Sequence, residues 1–135
     1  MNKPNKLNIT VNSFSYKTGI PNDPSGHGGG FVFDCRGIHN PGRYERYQFL
    51  TGKDQEVIDF FKKNTSIDAF IEKVVDLVDI SIQSYLERGF SSLMINFGCT
   101  GGQHRSVYCA EETACILQKK YPVEVMLDHK ELEKE

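Results

Sequence analysis

Residues 98–106 are the part of this chain whose residue types and spacing are best suited to bind an anion. They read Gly-Cys-Thr-Gly-Gly-Gln-His-Arg-Ser and lie between an apolar run at 93–97 and a helical pattern that begins near residue 104. Where a strand turns directly into a helix, backbone N–H groups lack intrahelical acceptors, and the helix dipole favours negative charge. Adjacent glycines let the backbone approach a ligand closely. We therefore predict an anion-binding strand-loop-helix over 97–106, with phosphate as the expected anion, and call residues 98–106 the anion loop.

Side chains of the anion loop can complete such a site. Arg105 can pair with phosphate in a bidentate manner, and His104 can donate a hydrogen bond or respond to phosphate ionisation. Ser106 can add a hydroxyl contact or cap the helix instead. The predicted ligand-binding residues of the loop are Thr100, Gly101, Gly102, Gln103, His104, Arg105 and Ser106.

A second group of candidates follows the short apolar run at 31–34. Asp34 ends this run, and a carboxylate there can bind an ammonium or hydroxyl group of a ligand or pair with Arg36. Because ligands bind beyond the carboxyl ends of parallel strands, we expect this segment beside the anion loop. The candidates here are Asp34, Arg36, His39 and Asn40, whereas Arg43 and Arg46 are interpreted as solvated.

The anion loop also fits a second chemistry. Cys99 and Arg105 are separated by five residues and followed by Ser106, which is the C-x5-R-[ST] spacing of cysteine-dependent phosphatases. In such an enzyme the Cys99 thiolate attacks phosphorus, Arg105 clamps the phosphate, and Asp34 is a candidate general acid. That pattern usually has a histidine before the cysteine, where this chain has Gly98. A small apolar role for Cys99 is therefore the favoured interpretation, and the enzyme is kept as the alternative.

Composition narrows the class of protein. The chain has 135 residues and a formal net charge of −2, which suits one globular domain and gives no general attraction to nucleic acid. We expect no membrane span, because no apolar stretch is long enough, and no signal peptide, because the N-terminal residues 1–6 lack an apolar core. Four cysteines without a CxxC pair indicate free thiols in the cytoplasm and no structural metal. The GxxxxGK[ST] and GxGxxG motifs are absent, and no cofactor is expected.

The elements that must position these residues follow from hydrophobic periodicity. The predicted strands are 7–16, 31–34, 92–97 and 123–127, and the predicted helices are 55–63, 67–87 and 104–120. The inward stripe of the long helix is predicted to be Ile67, Phe70, Ile71, Val74, Leu77, Val78, Ile82, Tyr85 and Leu86. Strands alternating with helices predict an α/β fold, as a single three-layer domain with a mostly parallel or mixed sheet. The expected domain is 1–135, with an ordered core at 7–127 and tails at 1–6 and 128–135.

Short motifs that occur in order along nearly the whole chain resemble the C-terminal domain of the RapZ (RNase adapter protein) family. The most specific is the run GCTGGQHRSV at 98–107. The others are Ser13-Phe14 with Tyr16-Lys17, Gly19-Ile20-Pro21, 31–34 with Arg36 and Asn40-Pro41, Thr51-Gly52 with Asp54, Ala110-Glu111, and His129 with 132–134. The resemblance implies a bacterial regulatory domain that senses glucosamine-6-phosphate. It implies a ligand site containing Asp34, Arg36, Thr100, Gly101, Gly102, His104 and Arg105.

Departures from the family pattern shape the expected function. No P-loop domain precedes the motifs, so ATP or GTP binding is not expected, and Gly42 stands where the family often has a histidine after Asn-Pro. Full-length relatives bind small RNA, but residues 129–135 hold three glutamates against two lysines, which disfavours an RNA partner. We predict a stand-alone sensor or adaptor that binds a small phosphorylated sugar. A protein partner of unidentified type and a homodimer are left open, and an RNA-binding adaptor is kept as an alternative function.

Overall fold

The structure of the chain, a computed structural model, describes residues 6–132. Residues 1–5 and 133–135, which belong to the predicted tails at 1–6 and 128–135, lie outside this range. The strands are β1 (Asn8–Ser15), β2 (Phe31–Asp34), β3 (Ser92–Cys99) and β4 (Glu124–His129), and the helices are α1 (Gln55–Asn64), α2 (Ile67–Arg88) and α3 (Arg105–Lys120). The segment between β2 and α1 contains two short 3-10 turns at Pro41–Arg43 and Glu45–Tyr47.

The four strands form one parallel sheet in the order β2-β3-β1-β4. This sheet and the three helices make a single α/β domain, consistent with the predicted three-layer fold. Because every strand runs in the same direction, all four carboxyl ends lie at one edge of the sheet. Ser15, Asp34, Cys99 and His129 are the last residues of the strands at that edge.

The hydrophobic core includes the sheet face that carries alternate residues of β1 and β3, and it includes the buried sides of α2 and α3. Its strand members include Ile9, Val11, Ile95 and Phe97, and its helix members include Ile71, Val74, Val78, Ile82, Tyr108 and Leu117. The predicted stripe of α2 is correct except at Leu77, which is 49% exposed, while Val75 is buried. Gly89, with φ of +72°, ends α2 in the left-handed conformation, as its position predicts.

The burial of one strand and the ends of two others differ from the sequence expectation. The apolar run of β2 predicted a buried strand, but β2 lies at the edge of the sheet and is only half-buried. β3 continues to Cys99, so the anion loop begins within the sheet. β4 continues to His129, because residues 128 and 129 pair with Asn12 and Ser13 of β1 rather than forming a tail. Within residues 6–132, no helix is long and apolar enough to cross a membrane.

Candidate functional site

The anion loop connects the carboxyl end of β3 to the first turn of α3, and three hydrogen bonds join it to two other segments. The Ser15 hydroxyl donates to the Thr100 carbonyl at 2.5 Å, and the amide of Tyr16 donates to the Cys99 carbonyl at 3.0 Å. The Gly52 amide donates to the Gln103 carbonyl at 2.8 Å. Three carbonyl groups of the loop are therefore hydrogen-bonded to neighbouring segments of the chain.

The backbone N–H groups at the end of the loop and the start of α3 lack hydrogen-bond acceptors among the described residues. Among the described residues, no carbonyl or side chain accepts a hydrogen bond from the N–H groups of residues 101–107. The first backbone bond of α3 runs from Tyr108 to His104 at 3.0 Å. Gly102 has a φ of +70°, a conformation that residues with a Cβ rarely adopt. A turn of unpaired N–H groups at a helix N-terminus is a suitable anion-binding geometry.

Arg105, the first residue of α3, is buried rather than exposed on the surface. Its side chain is only 5% exposed, and its Nη1 donates to the main-chain carbonyls of Arg36 and Ile38, each at 2.9 Å. Its Nε is buried and has no hydrogen-bond partner in the described part of the chain. Arg105 therefore brings a positive charge to the N-terminus of α3 and anchors the segment 35–52, which we call the cover segment.

His104 also contacts a main-chain carbonyl of the cover segment. Its Nε2 lies 2.8 Å from the Tyr47 carbonyl, and since a carbonyl only accepts, this nitrogen carries the proton. A Cβ at Gly42 would stand 3.3 Å from Cε1 of His104, so the glycine lets the cover segment pack against the imidazole. The departure from the family pattern at residue 42 thus lies in direct contact with a predicted ligand-binding residue.

Asp34 and Arg36 form an exposed pair at the carboxyl end of β2. Nε and Nη2 of Arg36 donate to the two carboxylate oxygens of Asp34 at 2.9 and 2.8 Å, and the guanidinium lies 4.0 Å from the ring centre of Tyr16. The hydrogen bonds from Arg36 lower the pKa of Asp34, against a smaller opposing effect of burial. Pairing of Asp34 with Arg36, one of the roles predicted for this carboxylate, is confirmed.

His39 and Asn40 hold the cover segment together. The Asn40 side chain accepts from the Gly42 amide at 2.9 Å and caps the first 3-10 turn. His39 Nε2 lies 2.7 Å from the Tyr44 hydroxyl, and its ring stacks on Phe60. These contacts assign both residues a structural role in the segment that covers α3.

The geometry gives little support to a nucleophilic Cys99. Its side chain is 2% exposed and belongs to the hydrophobic core, with its thiol 3.1 Å from the Ser106 hydroxyl. Arg105 donates to backbone carbonyls, as described above. A Cβ at Gly98 would stand 2.5 Å from the Phe14 ring, so the histidine of the phosphatase pattern has no room there. No three His, Cys, Asp or Glu side chains within residues 6–132 are grouped to hold a metal ion.

The model of the RapZ C-terminal domain family matches residues 7–133. The chain belongs to this family. Among similar curated proteins is a nucleotide-binding protein of Thermotoga neapolitana, 37% identical over 99% of this chain and 46% of its own length. The nucleotide-binding protein YvcJ of Bacillus subtilis is 40% identical over 98% of this chain and 43% of its own length. This RapZ C-terminal domain therefore spans less than half of the relatives that it matches.

β1 and the segment after β4 also contribute to this site, which the sequence did not predict. Ser13 Oγ lies 2.6 Å from Nδ1 of His129, and the Lys130 amide donates to the Ser13 carbonyl at 2.9 Å. The Gln103 side chain donates to the Glu131 main-chain carbonyl at 2.9 Å. The end of β1 could have been found from the rule that parallel strands end at the same edge of a sheet. The segment after β4 could not, because the charged composition of residues 128–135 is typical of a tail.

Proposed function

We propose that this RapZ C-terminal domain binds a phosphorylated amino sugar of the glucosamine-6-phosphate type and acts as a sensor or adaptor. The observation that carries the proposal is the turn of unpaired N–H groups at residues 101–107, beside the buried guanidinium of Arg105. These groups suit the oxygens of a phosphate, since both the helix dipole and the arginine favour negative charge. The choice of an amino sugar as the rest of the ligand is based on the resemblance to the RapZ family.

The exposed pair of Asp34 and Arg36 supports a polar ligand that extends beyond the phosphate. Both residues lie at the same edge of the sheet as the anion loop, and Arg105 contacts the backbone of Arg36 directly. A sugar hydroxyl in this position can exchange hydrogen bonds with the pair. The cover segment, held by Arg105 and His104, is then the part of the surface that a ligand can alter and a protein partner can recognise.

Several relatives carry the name nucleotide-binding protein, so nucleotides are the natural competitor for the same loop. A nucleotide offers the same phosphate chemistry, but this chain has no GxxxxGK[ST] motif to wrap a triphosphate. We propose that the loop takes a single phosphate group. ATP is therefore a useful comparison ligand in the test that follows.

Calorimetric titration with glucosamine-6-phosphate, glucose-6-phosphate, inorganic phosphate and ATP tests the proposal. Gly101 is the position to change, because it is exposed and a Cβ there would meet nothing within 4 Å. Gly101→Asp adds a carboxylate beside the N-terminus of α3, whereas Gly101→Asn adds a neutral side chain of the same size. We expect saturable binding of glucosamine-6-phosphate that Gly101→Asp weakens at least about tenfold through like-charge repulsion.

Gly101→Asn is the matched control and is expected to bind within about threefold of the unchanged protein. Equal binding by the two variants would place the ligand elsewhere on the molecule. Absence of saturable binding of any sugar phosphate by the unchanged protein would refute the proposed function, and tighter binding of ATP than of the sugar phosphates would replace it.

A further inference from the structure

The segment that follows β4 forms one wall of the anion loop. Glu131 is joined to the loop through the bond from the Gln103 side chain to its carbonyl. Its side chain packs on Gly102, where a Cβ would overlap Cγ of Glu131. Glycine at residue 102 therefore makes room for this glutamate, and the carboxylate is carried on a side chain that contacts the proposed phosphate site.

The carboxylate of Glu131 is available to a ligand. In residues 6–132 it forms neither an ion pair nor a hydrogen bond. Two other carboxylates at this edge of the sheet are engaged: both oxygens of Asp34 accept from Arg36, and Glu111 lies 3.5 Å from Nε2 of His129 and 3.9 Å from Lys53. Asp34 was the group expected to meet an ammonium, and its pairing leaves that role open.

A free carboxylate beside an anion loop selects the charge of the ligand. It repels a ligand that carries only a phosphate, and it attracts one that carries a positive group a few ångströms from the phosphate. A protonated amine meets this requirement and forms a charge-assisted N–H···O hydrogen bond with a carboxylate. We propose that Glu131 receives the ammonium group of the ligand and makes the site selective for phosphorylated amines over phosphorylated alcohols of the same size.

This inference rests on the proposed function, and its test separates the two. Glucosamine-6-phosphate and glucose-6-phosphate differ at one position, where the first has an ammonium and the second a hydroxyl. Both ligands are titrated into the unchanged protein and into Glu131→Gln. The two ligands differ in charge but have nearly the same shape, and so do the side chains of glutamate and glutamine. Glu124→Gln is the matched control, since Glu124 lies at the opposite end of β4 and pairs with the exposed Lys6.

We expect the unchanged protein and Glu124→Gln to prefer the amino sugar by about tenfold, as one charge-assisted hydrogen bond allows. Glu131→Gln is expected to lose this preference, because glucosamine-6-phosphate binds more weakly while glucose-6-phosphate binds as well as before or better. Thermal unfolding of each variant checks the fold, and Glu131→Ala gives a second substitution with the same expected outcome.

Other outcomes overturn the inference. A preference for the amino sugar that survives in Glu131→Gln would assign the ammonium to another group. Tighter binding of both ligands by Glu131→Gln would make Glu131 a general barrier to anions. Equal binding of both ligands by the unchanged protein, still sensitive to Gly101→Asp, would refute the inference and leave the proposed function standing. Failure to bind either ligand would refute both.

Discussion

Arg105 and Asp34 show what can be predicted about single residues in this site. The spacing of the anion loop predicts a cation at the N-terminus of α3, and Arg105 is found there, but its hydrogen-bond partners are carbonyls of the cover segment. Those partners could not be predicted, because residues 35–52 have no periodicity that fixes their path. The pairing of Asp34 with Arg36 could be predicted, since the two side chains are close in sequence and opposite in charge.

His129 carries a pH dependence that belongs to a single residue. Burial lowers the pKa of its imidazole, and Lys53 acts in the same direction, whereas Glu111 and Asp128 oppose the shift. A histidine whose folded pKa lies below its unfolded value near 6.5 contributes stability above that value and loses it as pH falls through the folded pKa. We expect the free energy of unfolding to decrease as pH falls below about 6.5, and to decrease less in His129→Gln.

Urea unfolding at pH 7.5, 6.5 and 5.5 measures this dependence. His27→Gln is the matched histidine substitution, since His27 is exposed in the loop between β1 and β2. Identical pH dependence in His129→Gln and in the unchanged protein would show that the Ser13–His129 contact does not exclude the protonated imidazole.

At the level of elements, most helices and strands could be predicted from the local pattern of apolar residues in the sequence. The helices begin and end within about one residue of the predicted positions, because amphipathic spacing and the glycine after α2 define them locally. The order of the strands is a tertiary property, so the edge position of β2 was not predictable from its apolar sequence. The charged composition of residues 128 and 129 is typical of a tail, and their place in β4 depends on pairing with Asn12 and Ser13 of β1, which is also a tertiary property.

The contact between the cover segment and α3 gives a prediction at this scale. A Cβ at Gly52 would overlap the His104 carbonyl and lie 2.6 Å from the Tyr108 nitrogen, both in the first turn of α3. Gly52→Ala must push the cover segment away from α3, and we expect it to lower the free energy of unfolding by about 1–3 kcal/mol. Urea unfolding at neutral pH measures the change.

Gly37→Ala is the matched control, because Gly37 lies in the same segment and a Cβ there would meet nothing within 4 Å. It is expected to change the free energy of unfolding by less than about 1 kcal/mol in either direction. Equal destabilisation by the two substitutions would show that the cover segment is not seated on α3 as described.

The whole molecule assembles its candidate site from distant parts of the sequence. The end of β1, the cover segment, the anion loop and the segment after β4 meet only because the four strands are parallel. The fold class was predictable from the alternation of strands and helices, and the anion loop from its glycines and its position before α3. The wall supplied by Glu131 was not predictable, since it depends on the pairing of β4 with β1 along its full length.

The central claim is that a phosphate group binds to the amides of residues 101–107. Titration of the isotope-labelled protein with glucosamine-6-phosphate, followed through the amide signals by nuclear magnetic resonance, tests it most directly. We predict that the largest shifts occur at these amides and move downfield as they donate to phosphate oxygens, with smaller shifts at Arg36 and Glu131. Shifts confined to another surface, such as the cavity lined by Tyr85 and Phe90, or no shifts at a saturating ligand concentration, would contradict the account.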